Sequence, residues 1–242
     1  MMNDLLKLEG VHTHIGAYHI LHGVDLAVPR GQLTLLLGRN GAGKTTTLRT
    51  IMGLWQASQG RITFNGEDIT ALNTPAIAHK KIAYVPENMG IFADLTVKEN
   101  MLLAARSARS AGQMDEQRLQ WIFGLFPAVE KFWNHPAGKL SGGQKQRLGI
   151  ARAIVADAPI LILDDALSNI DAHTANDIVQ RLSAARRGKT TIMVSQKISA
   201  VRHLDTILVI ADGVISEQGT HAELIARQGL YHQLYDHELK AH

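Results

Sequence analysis

An apolar run from Leu33 to Leu37 leads directly into Gly38-Arg39-Asn40-Gly41-Ala42-Gly43-Lys44-Thr45, with Thr46 next in line. The run suits a strand buried on both faces. The eight residues after it fit the pattern G-x-x-x-x-G-K-[ST]. Together they restrict the architecture severely. Glycines are needed where backbone N–H groups must close around phosphate oxygens, and a helix must begin where the loop ends so that its positive end faces the anion. In that arrangement Lys44 reaches the β- and γ-phosphates and the Thr45 hydroxyl meets Mg²⁺. A glycine-rich turn with an exposed lysine, the plainer reading, has no use for the flanking strand and helix.

The rest of the chain supports an α/β domain. Apolar residues alternate at Val24, Leu26 and Val28, and Asn65-Gly66 between Ile62-Thr63-Phe64 and Glu67-Asp68-Ile69 predicts a type I′ hairpin. Near residue 96 the composition shifts. Thr96 with Glu99 forms a capping box ahead of Met101 to Ala105, a second helical run covers Asp115 to Phe126, and a third starts at Ser141 with Leu148, Ala151 and Val155 on one face. Strand signals return at Ile160 to Leu163, Thr190 to Val194 and Thr206 to Ile210, separated by helical stretches, which argues for a mixed or parallel sheet. Asp212-Gly213 marks another hairpin, and Thr220 with Glu223 caps a last helix.

Composition excludes several classes. With 242 residues, 45% of them hydrophobic and 19% charged, the chain can bury a large core and is neither disordered nor collagen-like. It has no cysteine, which rules out disulfide scaffolds, thiolate nucleophiles and cysteine zinc sites. The longest apolar stretch, Trp121 to Val129, is broken by Gly124 and Pro127 and falls short of the ~18 residues of a membrane helix. Asp4, Lys7 and Glu9 among the first leucines, without a cleavage site, do not make a signal peptide. The net charge of +3 is dispersed, with short pairs such as Lys80-Lys81 and Arg186-Arg187, so no nucleic-acid partner is expected.

Two further segments carry chemistry. Ile160 to Leu163 ends in Asp164-Asp165, which places Asp164 to hold Mg²⁺ directly or through water and Asp165 to polarise an attacking water. Leu140-Ser141-Gly142-Gly143-Gln144 opens a helix and makes a second anion cradle. One nucleotide needs one cradle, so the second implies a partner's nucleotide. Other conspicuous residues have structural readings. His12, His14, His19 and His22, two in a strand and two in a turn with no acid nearby, do not make a metal site. Trp121, Phe123, Phe126, Phe132 and Trp133 read as the core of the helical segment.

The order Gly38 to Thr45, Leu140 to Gln144, Leu161 to Asp165 resembles the ATP-binding cassette (ABC) ATPases over essentially the whole chain. The resemblance implies one ABC domain over 1–242. Its α/β, P-loop NTPase (RecA-like) core would comprise 1–90 and 156–242, with an N-terminal antiparallel β-subdomain and a helical subdomain inserted at 91–155. It implies ATP and Mg²⁺ as cofactors. It also implies a second ABC cassette packed head to tail, as homodimer or heterodimer, so that Ser141, Gly142, Gly143 and Gln144 face the other cassette's ATP. Transmembrane permease subunits would complete the transporter, with this chain cytoplasmic and peripheral on the inner face of the cell membrane. Ser168-Asn169-Ile170-Asp171 matches the loop that addresses the opposite site.

Several positions depart from the family pattern. Tyr84-Val85-Pro86-Glu87 carries Glu87 in place of glutamine, at a position tied to catalysis and to the metal. The base that follows the magnesium aspartate is Asp165 rather than glutamate, and the switch histidine corresponds to Gln196. Ile15 precedes Gly16 where an aromatic residue stacks on adenine, leaving Tyr18 either as its substitute or as an ordinary strand residue. Residues up to about 155 are similar to branched-chain amino acid importer ATPases, whereas Leu163 to His221 resembles exporter cassettes. Two functions follow as expectations. One is an ATPase subunit that powers transport, branched-chain amino acid import among the options. The other is a weakly hydrolysing cassette that binds ATP and completes the active site of a competent partner. A DNA-repair or chromosome-associated ABC ATPase would need long coiled coils or tandem cassettes, for which this length has no room.

Overall fold

The computed structural model describes residues 4–108, 115–195, 198 and 202–240. β1 (Asp4–Ile15) and β2 (Tyr18–Pro29) form a long antiparallel hairpin in which Val24, Leu26 and Val28 point into a core and Asp25 points out, as their alternation requires. The apolar run is β3 (Leu33–Leu37), buried at every position, and α1 (Lys44–Ile51) starts immediately after the glycine loop. β4 (Ala57–Phe64) pairs with β1 and turns through Asn65-Gly66 into β5 (Glu67–Asp68). Both turn residues are left-handed, with φ of 52° and 81°, which is what a type I′ turn demands. This sheet has the order β2-β1-β4-β5.

The chain continues through α2 (Thr74–His79) and β6 (Ile82–Val85) into helices α3 (Val97–Ala108), α4 (Glu116–Leu125), α5 (Pro127–Lys131) and α6 (Gly142–Val155). It then alternates β7 (Ile160–Asp164), α7 (Ala172–Ala185), β8 (Thr190–Val194) and β9 (Thr206–Ala211). β10 (Val214–Gly219) follows the Asp212-Gly213 turn, and α8 (His221–Arg227) carries the capping box of Thr220 and Glu223. That helix is not the last: it ends at Gln228 in the left-handed conformation, and α9 (Leu230–Lys240) follows, its first N–H groups bonded to Glu217. The expectation stopped at α8 because no capping sequence announces α9; a carboxylate from β10 does that work.

The second sheet has the order β10-β9-β3-β8-β7-β6, parallel except for its β10 edge. Its central strands β3, β7 and β8 are buried at every position because each feeds two cores. Leu33, Leu35, Leu37, Leu161, Leu163, Ile207 and Val209 pack on the helical side. Leu36, Ile160, Ile162, Leu208 and Ile210 face the antiparallel sheet across Leu48, Ile51 and Met52 at and just beyond the end of α1. Truncating a fully buried member such as Leu161 to Ala costs about 2–5 kcal/mol.

The helical segment is anchored by the predicted capping box. The Thr96 N–H donates to Glu99 Oε2 at 2.8 Å and the Glu99 N–H to Thr96 Oγ1 at 3.2 Å. Asn100, fully buried, donates to the carbonyls of Phe92 and Thr96 and accepts from the Phe92 N–H. Phe126 is buried, and Phe123 meets Trp133 edge-on at 5.1 Å, so these aromatics are core. The four histidines differ from expectation. All lie in strands, paired His12 with His22 and His14 with His19, because the hairpin turn takes only Gly16 and Ala17. Their rings stack, with His14 and His19 at 4.1 Å and 7°.

Candidate nucleotide site

β3 and β7 both neighbour β8, so their carboxyl ends stand two strand spacings apart, about 10 Å. The glycine loop emerges from one end and Asp164 terminates the other. Gly38 must be glycine: a Cβ there would lie 2.3 Å from the Ile210 carbonyl oxygen. Gly41 and Gly43 have φ of 82° and 108°, a region that side chains disfavour. Gly43 is also the N-cap of α1 and, being glycine, brings no capping side chain to the first N–H groups of that helix. Its N–H groups are therefore left for an anion. Arg39, Asn40 and Gly41 are exposed, Ala42 is buried and Thr46 is half-buried.

Lys44, only 8% exposed, donates from Nζ to the carbonyls of Gly38 at 2.8 Å and Arg39 at 2.9 Å. Burial holds its pKa below the usual lysine value, against the opposing charges of Asp165 and Asp164. Asp164 has no solvent access, and each of its oxygens accepts one hydroxyl: Thr45 Oγ1 donates to Oδ1 at 2.9 Å, and the Tyr84 hydroxyl donates to Oδ2 at 2.9 Å. Desolvation pushes the Asp164 pKa up, with the two hydroxyls and Arg49 pulling it down; the exposed Glu87 adds a small upward push, so its charge is felt at this carboxylate. Asp165 is nearly buried and left-handed, with φ of 50°. Thr45 and Asp164 offer only hard oxygen donors, and a desolvated carboxylate favours a cation beside it, so these residues fit Mg²⁺.

The second cradle is built differently. Ser141 is the N-cap of α6, its Oγ accepts from the Gln144 N–H, and Gln144 Oε1 accepts in return from the Ser141 N–H at 2.8 Å. Ser141 and Gly142 are exposed, and a Cβ on Gly142 would meet open space. Behind them Gln146, fully buried, donates to Ser168 Oγ at 2.9 Å and accepts from the Asn169 N–H at 3.0 Å, which ties α6 to the 168–171 loop. Asp171 in turn caps α7 through the Thr174 N–H.

Tyr18, 76% exposed, begins β2 opposite Ile15 at the tip of the β1–β2 hairpin. Gln196 lies outside the described residues. The sequence reading missed the Tyr84 hydroxyl, Arg49 and Gln146. Tyr84 and Asp164 share a sheet face only because β6 pairs with β7 with Tyr84 opposite Ile162, a register that no linear pattern declares.

A family model described as "ABC transporter" matches residues 21–168. The chain is 37% identical over 222 residues, 90% of its length, to a Bacillus subtilis protein named "Probable multidrug resistance ABC transporter ATP-binding/permease protein YheI", of which it covers 38%. Among solved structures it superposes with a TM-score of 0.86 and 29% identity on a bacterial Atm1-family ABC exporter with ATP bound, covering 96% of this chain and 42% of that one. It also superposes with a TM-score of 0.79 and 26% identity on an ATP-binding cassette in a dimeric post-hydrolysis state bound to ADP and Pi, covering 89% of this chain and 98% of that one. The chain thus spans about two fifths of the length of the first two. The fold is that of ABC ATPase cassettes, a P-loop α/β core with an antiparallel β-subdomain.

Proposed function

This chain belongs to the ABC transporter family, and we propose that it is the ATP-binding and ATP-hydrolysing cassette of an exporter-type transporter, closing head to tail on a second cassette when ATP is bound. The observation that carries this reading is the uncapped N-terminus of α1 with Thr45 Oγ1 2.9 Å from Asp164 Oδ1. The loop N–H groups from Gly38 to Lys44 and the Lys44 ammonium bind and orient the phosphates, with Thr46 at their edge. Mg²⁺, when bound, neutralises charge on the β- and γ-phosphate oxygens, and Thr45 and Asp164 are the residues that would hold it, with Glu87 alongside. Asp165 takes the proton of the attacking water, and Gln196 hydrogen-bonds the γ-phosphate. Ser141, Gly142, Gly143 and Gln144 are exposed or half-buried, which supports their reaching the nucleotide of the other cassette.

Closure has to be passed to a membrane partner. Among the described residues no helix is long and apolar enough to cross a membrane. A cleft of about 680 Å³ between β6 and α6 is lined by Tyr84, Met89, Phe92, Leu103 and Arg152, and Phe92 and Leu103 are half-exposed. This cleft supports docking of a transmembrane partner at the cytoplasmic face of the membrane. The names of the relatives support export; they lend no support to branched-chain amino acid import. A second reading, a weakly hydrolysing cassette that completes a partner's site, is carried by Asp165, one methylene shorter than a glutamate. Steady-state ATPase assay of the purified chain, with calorimetric ATP binding, tests the proposal. ATP binding with turnover that disappears in Lys44→Ala is expected. Failure to bind ATP overturns both readings, and binding without turnover leaves the second.

A further inference from the structure

The chemistry assigned so far uses one oxygen of Asp164. The other is held by a residue with no part in it. Tyr84 lies on β6, opposite Ile162 of β7, so its side chain and that of Asp164, two residues further on, are diagonal neighbours on one sheet face. A diagonal of that kind is within reach of an aromatic side chain. The Tyr84 hydroxyl closes it with a 2.9 Å bond to Oδ2. Arg49, in the last turn of α1, the helix whose first turn contributes Thr45, is close enough for its charge to act on both the phenol and Asp164. Asp164 is thus fastened from both sides, by Thr45 on the nucleotide side and by Tyr84 on the side of the cleft between β6 and α6, which Tyr84 also lines.

We propose that Tyr84 is a positioning residue for the metal carboxylate: its hydroxyl fixes Asp164 Oδ2, so that Oδ1 and Thr45 meet Mg²⁺ in a preformed orientation. The inference rests on the nucleotide reading above. Asp164 has no solvent access, so water cannot replace a missing donor. Without the phenol, Oδ2 is unsatisfied and the carboxylate is free to rotate about χ2, which weakens its hold on a cation. ATP bound without metal does not engage Asp164, so its affinity is independent of Tyr84.

Tyr84→Phe removes one oxygen and keeps the ring. The experiment measures ATP binding by calorimetry in EDTA and across a Mg²⁺ titration, and Mn²⁺ binding in the presence of ATP by electron paramagnetic resonance. The ATP affinity of Tyr84→Phe in EDTA should match the parent within about twofold, while the half-saturating Mg²⁺ and Mn²⁺ concentrations rise roughly tenfold, as for loss of a hydrogen bond to a charged group. Tyr84→His, whose shorter ring keeps an N–H donor but reaches Oδ2 less well, should shift the metal dependence the same way by a smaller factor. Unchanged metal dependence in folded Tyr84→Phe overturns the proposal. So does an equal loss of affinity with and without metal, which is the mark of a merely structural residue. If Tyr84→Phe does not fold, Tyr84→His decides, and an unchanged metal requirement there overturns the proposal. A parent that binds no ATP in either buffer refutes the nucleotide reading itself.

Discussion

The N-termini of α1 and α6 are both glycine-bearing helix starts that can receive an anion, yet they are completed in opposite ways. At α1 the N-cap is Gly43, which brings no capping side chain, and Lys44 is 8% exposed with Asp164 and Asp165 close enough to influence it. At α6 the N-cap is Ser141, whose capping box with Gln144 pairs the Gln144 and Ser141 N–H groups, and Ser141 and Gly142 are exposed. On the proposed function, the helix start in the partly desolvated loop is the one that binds a nucleotide within the chain. On that same reading the exposed, serine-capped one is offered to a nucleotide carried by another molecule, for which the serine hydroxyl must exchange its own partner.

Lys44→Ala strikes the first of these and should have the largest effect, a loss of turnover of at least about 100-fold, since it removes a charge aimed at the phosphates from a dry site. A steady-state ATPase assay reads it, and near-normal activity would break the comparison at its stronger half. Ser141→Arg addresses the second. It should depress turnover about as far, yet leave ATP affinity within about twofold and abolish the ATP-dependent dimer that Asp165→Asn otherwise accumulates on a sizing column. Impaired ATP binding by Ser141→Arg would mean that both cradles serve one nucleotide. Restoring the longer base and an imidazole, Asp165→Glu with Gln196→His, should raise kcat about tenfold at nearly constant ATP affinity, because a carboxylate retracted by about 1 Å can cost 100-fold. No gain in the double variant would assign the hydrolytic geometry to other residues. The smallest effect concerns the capping box alone: Ser141→Ala should cost about 1 kcal/mol and lower the melting temperature by about 2–4 °C. A larger drop, measured by thermal denaturation, would give α6 a weight in the fold that its exposed first turn does not suggest.

Much of the first site was legible in the chain because its parts are local. The strand, loop and helix of Leu33 to Ile51 are contiguous, and apolar alternation, glycine conformation and helix polarity act over a few residues. The capping boxes at Thr96 and Thr220 and the turns at Asn65-Gly66 and Asp212-Gly213 are local for the same reason. What stayed hidden was non-local. The histidine pairs follow from how short the β1–β2 turn is, and α9 is started by Glu217 from β10 rather than by any cap of its own. The Gln146 bridge to Ser168 and Asn169 spans segments that only folding brings together.

The sequence by itself determined the identity and order of the chemical groups: a phosphate loop, a second cradle and an acidic strand end, each written in adjacent residues whose backbone preferences need no distant partner. Only the tertiary structure decided which of those groups share an environment. Strand order placed β8 between β3 and β7, and β6 beyond β7, and that order set Thr45 on one oxygen of Asp164 and Tyr84 on the other. The reason is physical. Hydrogen-bond register between parallel strands is settled by the packing of both faces of the sheet at once, and burial, which pushes the Asp164 pKa up, belongs to the assembled core rather than to any segment of it.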